Sequence, residues 1–207
     1  MAKLPTIVTI GKATQDVFLR SSDAFTEFTH KGVKYEQLPV GQKLDLDEVI
    51  FSTGGNVTNA AVTFARQGLH SKYSWCIGDD APSETILQSL DREGVDTTHV
   101  FQGEHFKPSY SVILMLEGGE RTILNYKGTM PTAKDHELDI SVIEEGDWIY
   151  ISSLGNMELL ERVIDRAAKH GVKVMLNPAS IELEETEKLK GLLEDVDVLA
   201  VNKEEAQ

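Results

Sequence analysis

The chain has 207 residues, with 20 Lys and Arg against 34 Asp and Glu, which gives a formal net charge of −14. This length suggests one large domain, or one domain with a small appendage, at about 150 residues per domain, and a single cysteine excludes a disulfide scaffold. A pI near 4.8 argues against general nucleic-acid binding, and no segment approaches the roughly 18 consecutive apolar residues of a membrane helix.

The N-terminal residues 1–11 contain a short apolar run that ends in glycine. This run has no small-residue cleavage site, so it favours a buried first strand over a signal peptide. We therefore expect a cytoplasmic protein. Cys76 lies in another apolar, strand-like run, which predicts a buried structural thiol.

Strands and helices alternate along the first half of the sequence. The helix that opens at Gly54 and Gly55 has one apolar face and ends at Gly68. The other predicted elements are strands at 6–11 and 73–77, a hairpin of 25–28 and 33–38 around a turn at 29–32, and a helix at 83–93.

The alternation becomes regular in the second half. Its predicted elements are a hairpin of 109–117 and 121–126, strands at 147–153, 172–177 and 196–202, and helices at 157–170 and 182–193. The acidic segment 182–187 is expected to be a solvated helix start, because acidic groups favour a helix N-terminus.

Repeated strand–helix–strand units predict an α/β fold with a doubly wound, mostly parallel sheet and helices on both faces. The two β-rich insertions, about 17–52 and 99–127, are expected to pair in space as a small separate sheet. Only a few residues follow the last predicted strand. We therefore expect residues 1–207 to form an incomplete domain, with one face of the sheet partly uncovered.

The strongest local motif for binding runs from Gly54 to Asn59. Gly54 and Gly55 allow a ligand to approach the backbone closely, and the helix start that follows offers free N–H donors. Asn56 and Asn59 add amides that donate and accept hydrogen bonds, which suits sugar hydroxyls. The alternative is a tight turn with a helix cap. The motif is neither the dinucleotide-binding fingerprint nor a Walker loop.

A second candidate is Asp16, five residues after Gly11. Ligands of open α/β sheets bind beyond the carboxyl ends of the strands, and a carboxylate there can accept two hydroxyl hydrogen bonds. The alternative is a solvated loop residue.

Two further candidates follow apolar strands in the second half. They are Asn177, in an Asn-Pro-Ala segment, and the pair Asn202 and Glu205. Glu205 at the ligand edge could hold a hydrated Mg²⁺, which prefers oxygen ligands; the alternative for each is a cap or turn. The six histidines show no ligand spacing, so a zinc site is not expected.

Taken in order, these motifs resemble the PfkB (ribokinase-like) family of carbohydrate kinases. The most specific stretch is 54–68, which is similar to the family's N-terminal signature. The other matching segments are Gly11 to Asp16, Ile77-Gly78-Asp79-Asp80, Gly119-Glu120-Arg121, Asn177-Pro178 and Asn202-x-x-Glu205.

The resemblance implies a Rossmann-like core with a β-sheet lid, formed by the two insertions, that also supports a homodimer. It implies transfer of the γ-phosphoryl of ATP to a hydroxyl of a sugar or nucleoside, with Mg²⁺. Substrate binding would fall to Asp16, Gly54, Gly55, Asn56 and Asn59. Lys127 stands near a position where some members bind an acidic substrate group through arginine. Asn177, Asn202 and Glu205 would serve phosphate and Mg²⁺, with Glu205 acting indirectly on the metal.

One departure is serious. The family's Gly-Ala-Gly-Asp segment, which supplies the catalytic base and the anion hole, does not occur in the 207 residues. We therefore expect no catalytic residue in this chain and no turnover by the chain alone. The leading hypothesis is the substrate-binding part of a sugar or nucleoside kinase, as a truncated chain or one half of a split enzyme. The alternative is a non-catalytic sugar-binding or interaction module.

Overall fold

The computed structural model describes residues 4–134 and 136–206; residues 1–3, part of the N-terminal run discussed above, lie outside them. Most predicted strands are present within one or two residues of their expected bounds. The strands of the described residues are β1 (Thr6–Gly11), β2 (Thr14–Arg20), β3 (Thr26–His30), β4 (Val33–Gln37), β5 (Glu48–Gly54), β6 (His70–Ser74), β7 (Cys76–Ile77), β8 (Phe101–Gln102), β9 (Ser109–Met115), β10 (Arg121–Tyr126), β11 (Trp148–Ser152), β12 (Lys173–Asn177) and β13 (Val198–Leu199).

The helices follow the predicted amphipathic segments. They are α1 (Asn56–Arg66), α2 (Ala81–Arg92), α3 (Met157–His170), α4 (Ser180–Glu184) and α5 (Thr186–Leu192), with 3-10 turns at Ile140–Glu145 and Leu193–Asp195. The chain enters α2 through Asp80, whose carboxylate accepts the Ser83 N–H at 3.1 Å. The Gly78-Asp79-Asp80 segment is therefore a strand-to-helix turn with a cap.

A five-stranded parallel sheet forms the core, in the order β13-β12-β11-β1-β6. The connection from β1 to β6 runs toward one edge of the sheet, and the connection from β11 to β12 runs toward the opposite edge. Because such crossovers are right-handed, α1 and α3 cover opposite faces of this core sheet. The predicted doubly wound, mostly parallel sheet is confirmed.

A second sheet of four strands has the order β10-β9-β2-β5, with β2 parallel to β9 and antiparallel to β5. It joins strands from both β-rich insertions, whereas β8 of the second insertion pairs with β7 instead. The hairpin β3–β4 forms around the predicted turn. Asp16 lies within β2 and not in the loop considered above.

Several expected boundaries are wrong. The helix at the glycine pair begins at Asn56, because Gly55 is its N-cap. The strand at 73–77 is interrupted at Trp75, and the strand at 196–202 shrinks to Val198–Leu199. The helix at 182–193 is broken at Glu185, whose backbone angles (φ −92°, ψ 46°) leave the helical region.

The expectation of a solvated acidic helix start is wrong for Glu182, which is 1% exposed. Its two carboxylate oxygens accept the Gly155 N–H at 2.8 Å and the Ala179 N–H at 2.9 Å. A buried carboxylate is tolerated here because backbone donors bind both oxygens.

Cys76 is buried in the core, as predicted. Among the described residues, no helix is long and apolar enough to cross a membrane.

Candidate functional site

The carboxyl ends of β1 and β11 lie side by side, at the point where the chain's crossovers diverge. Gly11 and Ser152 are in register there, and a Cβ on Gly11 would lie 1.8 Å from the Ser152 carbonyl oxygen. Gly11 also has φ +145°, which side chains rarely adopt. Only glycine is therefore accommodated at position 11. The crevice beyond these strand ends is where open α/β sheets bind ligands.

Asp16 stands directly against Gly54. A Cβ on Gly54 would lie 1.9 Å from Oδ2 of Asp16, so the Asp16 carboxylate fits there only because residue 54 is glycine. The carboxylate is partly exposed, and none of the described residues gives it a hydrogen bond or an ion pair. All its lone pairs remain available to hydroxyl donors.

Gly55 turns the chain from β5 into α1. It has φ +103°, and a Cβ there would lie 2.9 Å from the Lys12 carbonyl oxygen. No side chain caps α1, so the first N–H groups of this helix point out beside Asp16 and Gly54 without a side-chain acceptor.

Asn56 and Asn177 contact each other through their amides. Nδ2 of Asn56 donates to Oδ1 of Asn177 at 2.9 Å, and the Ser152 hydroxyl donates to the same oxygen at 3.0 Å. Nδ2 of Asn177 donates to the Ala200 carbonyl at 2.7 Å. Asn177 therefore ties the ends of β11, β12 and the last strand to the start of α1.

Asn59 lies on α1 and lines a different space. This cleft of about 390 Å³ runs between α1, α2 and β5, and its lining includes Thr53, Arg66 and Glu93 but not Asp16. Arg66 and Glu93 close one end through two hydrogen bonds of 2.7 and 2.6 Å. The structure thus brings Asp16, Gly54 and Gly55 together, and it places Asn59 in a neighbouring hydroxyl-rich cleft.

Lys127 is exposed just after β10. Its charge acts on Lys12, whose pKa is lowered first by burial and then by the positive charge of Lys127. Sequence reasoning missed Lys12. The available signal was its position directly after Gly11, at the carboxyl end of the first strand.

Asn202 and Glu205 bond to each other's backbone in a turn after β13. The Asn202 carboxamide oxygen accepts the N–H groups of Glu204 and Glu205 at 2.9 Å each, and Oε2 of Glu205 accepts the Asn202 N–H at 2.9 Å. This is the reciprocal pattern of a capping box. Oε1 of Glu205 has no bond to a described residue, which fits a Mg²⁺ held through water but not a dedicated cage. The described residues contain no cluster of three or more His, Cys, Asp or Glu able to hold a metal ion.

Comparison with known sequences points to one family. The profile described as pfkB family carbohydrate kinase matches residues 24–207. Over 173 residues, the chain is 28% identical to a ribokinase of Haemophilus influenzae, covering 81% of this chain and 54% of that protein. A ribokinase of Schizosaccharomyces pombe is 35% identical over 141 residues, which cover 62% of this chain and 43% of that relative. The chain thus spans about half the length of these curated relatives.

Solved structures share the fold. The ribokinase of Arabidopsis thaliana complexed with ribose and ATP superposes with a TM-score of 0.77 and 19% identity, over 98% of this chain and 62% of that chain. For 2-dehydro-3-deoxygluconokinase of Thermotoga maritima the TM-score is 0.74 at 18% identity, over 97% of this chain and 60% of that one. The fold is therefore the ribokinase-like α/β fold.

Proposed function

The chain belongs to the pfkB family of carbohydrate kinases, and on that premise we propose that it binds a sugar or nucleoside for ATP-dependent transfer of phosphate to one of its hydroxyls. The observation that carries the proposal is the Asp16 carboxylate, which has no partner among the described residues and lies against Gly54. A partly buried acceptor beside a helix start is suited to a polyol, because each oxygen can take a hydroxyl hydrogen.

The neighbouring residues have complementary roles in this proposal. The backbone of Gly54 and Gly55 lets the ligand approach closely, and the amide of Asn56 binds a further hydroxyl at the start of α1. Asn59 would bind a hydroxyl of a ligand that extends from Asp16 into the neighbouring cleft. Lys127 and Lys12 lie close enough for their charges to interact, and together they favour a substrate or product that carries negative charge.

For the phosphate donor, we propose ATP with Mg²⁺ on the side of Asn177, Asn202 and Glu205. When bound, ATP supplies the γ-phosphoryl group and Mg²⁺ offsets its charge. Asn177 positions the strand ends, and Oε1 of Glu205, which has no bond to a described residue, would bind a water ligand of the metal. The Gly-Ala-Gly-Asp segment does not occur in these residues, so we propose that the chain alone does not turn over.

We also propose that the second sheet, β10-β9-β2-β5, acts as a lid over the substrate and as a surface for a homodimer. Phe51 is 65% exposed and Leu124 56% exposed, and edge strands with apolar side chains favour association. Sedimentation velocity should show a dimer that Phe51→Glu converts to monomer. A monomeric wild-type chain would remove the dimer from the proposal.

The central test is calorimetric titration with D-ribose, D-fructose and adenosine. At least one should bind, and Asp16→Ala should weaken it at least about 10-fold, because a charge-assisted hydrogen bond is lost. Asp91→Ala, on the exposed side of α2, is the matched control and should bind like wild type. Binding of none of the three ligands, or equal binding by Asp16→Ala, would overturn the proposal.

A second candidate is a sugar-binding module without activity, which would use the same Asp16 carboxylate against Gly54. A kinase assay separates the two functions. Turnover restored by adding a family C-terminal segment that carries this motif supports the kinase. Tight sugar binding without any rescue supports the binding module.

A further inference from the structure

Four polar side chains form a row across the second sheet. Ser52 is in register with Asp16, Asp16 with Ser111, and Ser111 with Asn125. Residues in register on neighbouring strands point to the same face of a sheet. The free carboxylate of Asp16 is therefore one member of a polar row that continues over β9 to β10, and sequence motifs gave no sign of this.

An apolar row runs beside it on the same face. Two residues farther along each strand, Phe18 is in register with Ile50 and Ile113, and Ile113 with Ile123. A sugar has a comparable pattern, with hydroxyls along its edge and C–H groups on its faces. The paired rows thus match a flat polyhydroxylated ligand that lies across the strands.

Asn125 stands at the far end of the polar row from Asp16. One end of its amide contacts the Ser109 hydroxyl at 3.3 Å, and that hydroxyl is itself fixed by a 2.9 Å bond to the Tyr126 carbonyl. The other end of the amide has no hydrogen bond to a described residue. Whichever atom faces outward, a sugar hydroxyl can pair with it, because a hydroxyl both donates and accepts.

The spacing of the strands sets the length of the ligand. Asp16 and Asn125 are two strands apart, or roughly 10 Å between backbones. Ser111, between them, is 8% exposed and forms the floor. A monosaccharide that carries hydroxyls at both ends spans this distance once the two side chains reach toward it.

We propose that Asn125 is a specificity-determining residue, which binds a sugar hydroxyl at the end of the molecule opposite to the hydroxyls held by Asp16. This inference rests on the proposed function. It narrows the substrate to a monosaccharide with a hydroxyl at that far end, and it predicts discrimination against the matching deoxy sugar, whose missing hydroxyl leaves the Asn125 amide unpaired.

The test is a titration cycle with D-ribose, D-fructose and the monodeoxy analogues of whichever binds. Asn125→Leu should weaken the parent sugar at least about 10-fold. One monodeoxy analogue should bind the wild type about 10-fold more weakly than the parent sugar, and Asn125→Leu should bind parent and analogue equally. Thr122→Leu, on the same strand but the other face, is the matched control and should behave like wild type.

The failures are distinguishable. If the sugar binds and depends on Asp16, but Asn125→Leu binds within two-fold of wild type, the inference is overturned and the proposed function stands. The same holds if Asn125→Leu weakens every analogue equally, since no single hydroxyl is then read. If neither sugar binds the wild-type chain, both the proposed monosaccharide substrate and this inference fall.

Discussion

The core sheet and the second sheet are built from similar apolar strands but are covered very differently. All six residues of β1 are buried, whereas all six of β10 are exposed. Helices cover the central strands of the core sheet on both faces, so their side chains stabilise the fold, whereas both residues of the edge strand β13 are exposed. The outer strands of the second sheet leave apolar side chains in solvent, which stabilise the fold little and remain available to a ligand or a second chain.

The largest expected effect compares one leucine from each region. Leu160 on α3 is 0% exposed and Leu124 on β10 is 56% exposed. Leu160→Ala should lower the free energy of unfolding by about 2–5 kcal/mol, because it leaves a cavity. Leu124→Ala should change it by less than about 0.5 kcal/mol. Urea unfolding measures both, and equal losses would remove the contrast between the regions.

A second pair compares two glycines. A Cβ at Gly11 meets the backbone oxygen of Ser152, whereas one at Gly54 meets the end of the Asp16 side chain. Gly11→Ala should cost about 3 kcal/mol of stability, because strand and backbone must shift. Gly54→Ala should cost less than about 1 kcal/mol of stability, since the Asp16 side chain can rotate away. It should weaken sugar binding by at least about 10-fold, as Asp16→Ala does, because it displaces the Asp16 carboxylate.

Denaturation and calorimetric titration, run on both alanine variants, measure these effects. Gly191→Ala is the control, because a Cβ there has open space, and it should leave stability unchanged or slightly raised. Intact sugar binding by a folded Gly54→Ala protein would contradict the placement of Asp16 in the site.

The smallest effect concerns the edge of the core sheet. Burial opposes ionisation of Asp96, but hydrogen bonds from Thr98 and Lys72 outweigh it and lower the pKa of Asp96 to about 2. Its contribution to stability is therefore present above the ordinary value of 3.8 and is lost as pH falls through about 2.

Asp96→Asn should flatten this acid-dependent part of the stability curve and leave sugar binding unchanged, because Asp96 lies beside β6 and away from the second sheet. Unfolding free energies at several pH values between 2 and 5 measure the slope. A variant curve parallel to that of wild type would show that other carboxylates control acid stability.

Local patterns predicted most of the core sheet and less of the second sheet. The periodic apolar faces of α1 and α3 and the turn of the β3–β4 hairpin are encoded by neighbouring residues. Strand β2 was not predicted, because it pairs with β5 and β9, far away in sequence, and its pattern is set by those partners.

The candidate site divides in the same way. The glycine pair and Asp16 were found from their positions after strands, but the contact between Asp16 and Gly54 depends on the β2–β5 register. The hydrogen bond from Asn56 to Asn177 joins residues 121 positions apart, and no local signal contains such a contact. The run of acidic residues at 182–187 predicted a solvated Glu182. The sequence could not show that Glu182 is buried, because its two backbone donors come from loops that meet only in the folded chain.

Glu182 also limits which substitutions the two loops accept. A carboxylate has only acceptors, so both of its oxygens suit N–H groups, whereas the amide of glutamine would turn an NH₂ toward one of them. An isosteric, uncharged replacement would thus release either the loop at Gly155 or the loop at Ala179. The loops that follow β11 and β12 are therefore coupled, because the Glu182 side chain bonds to both of them.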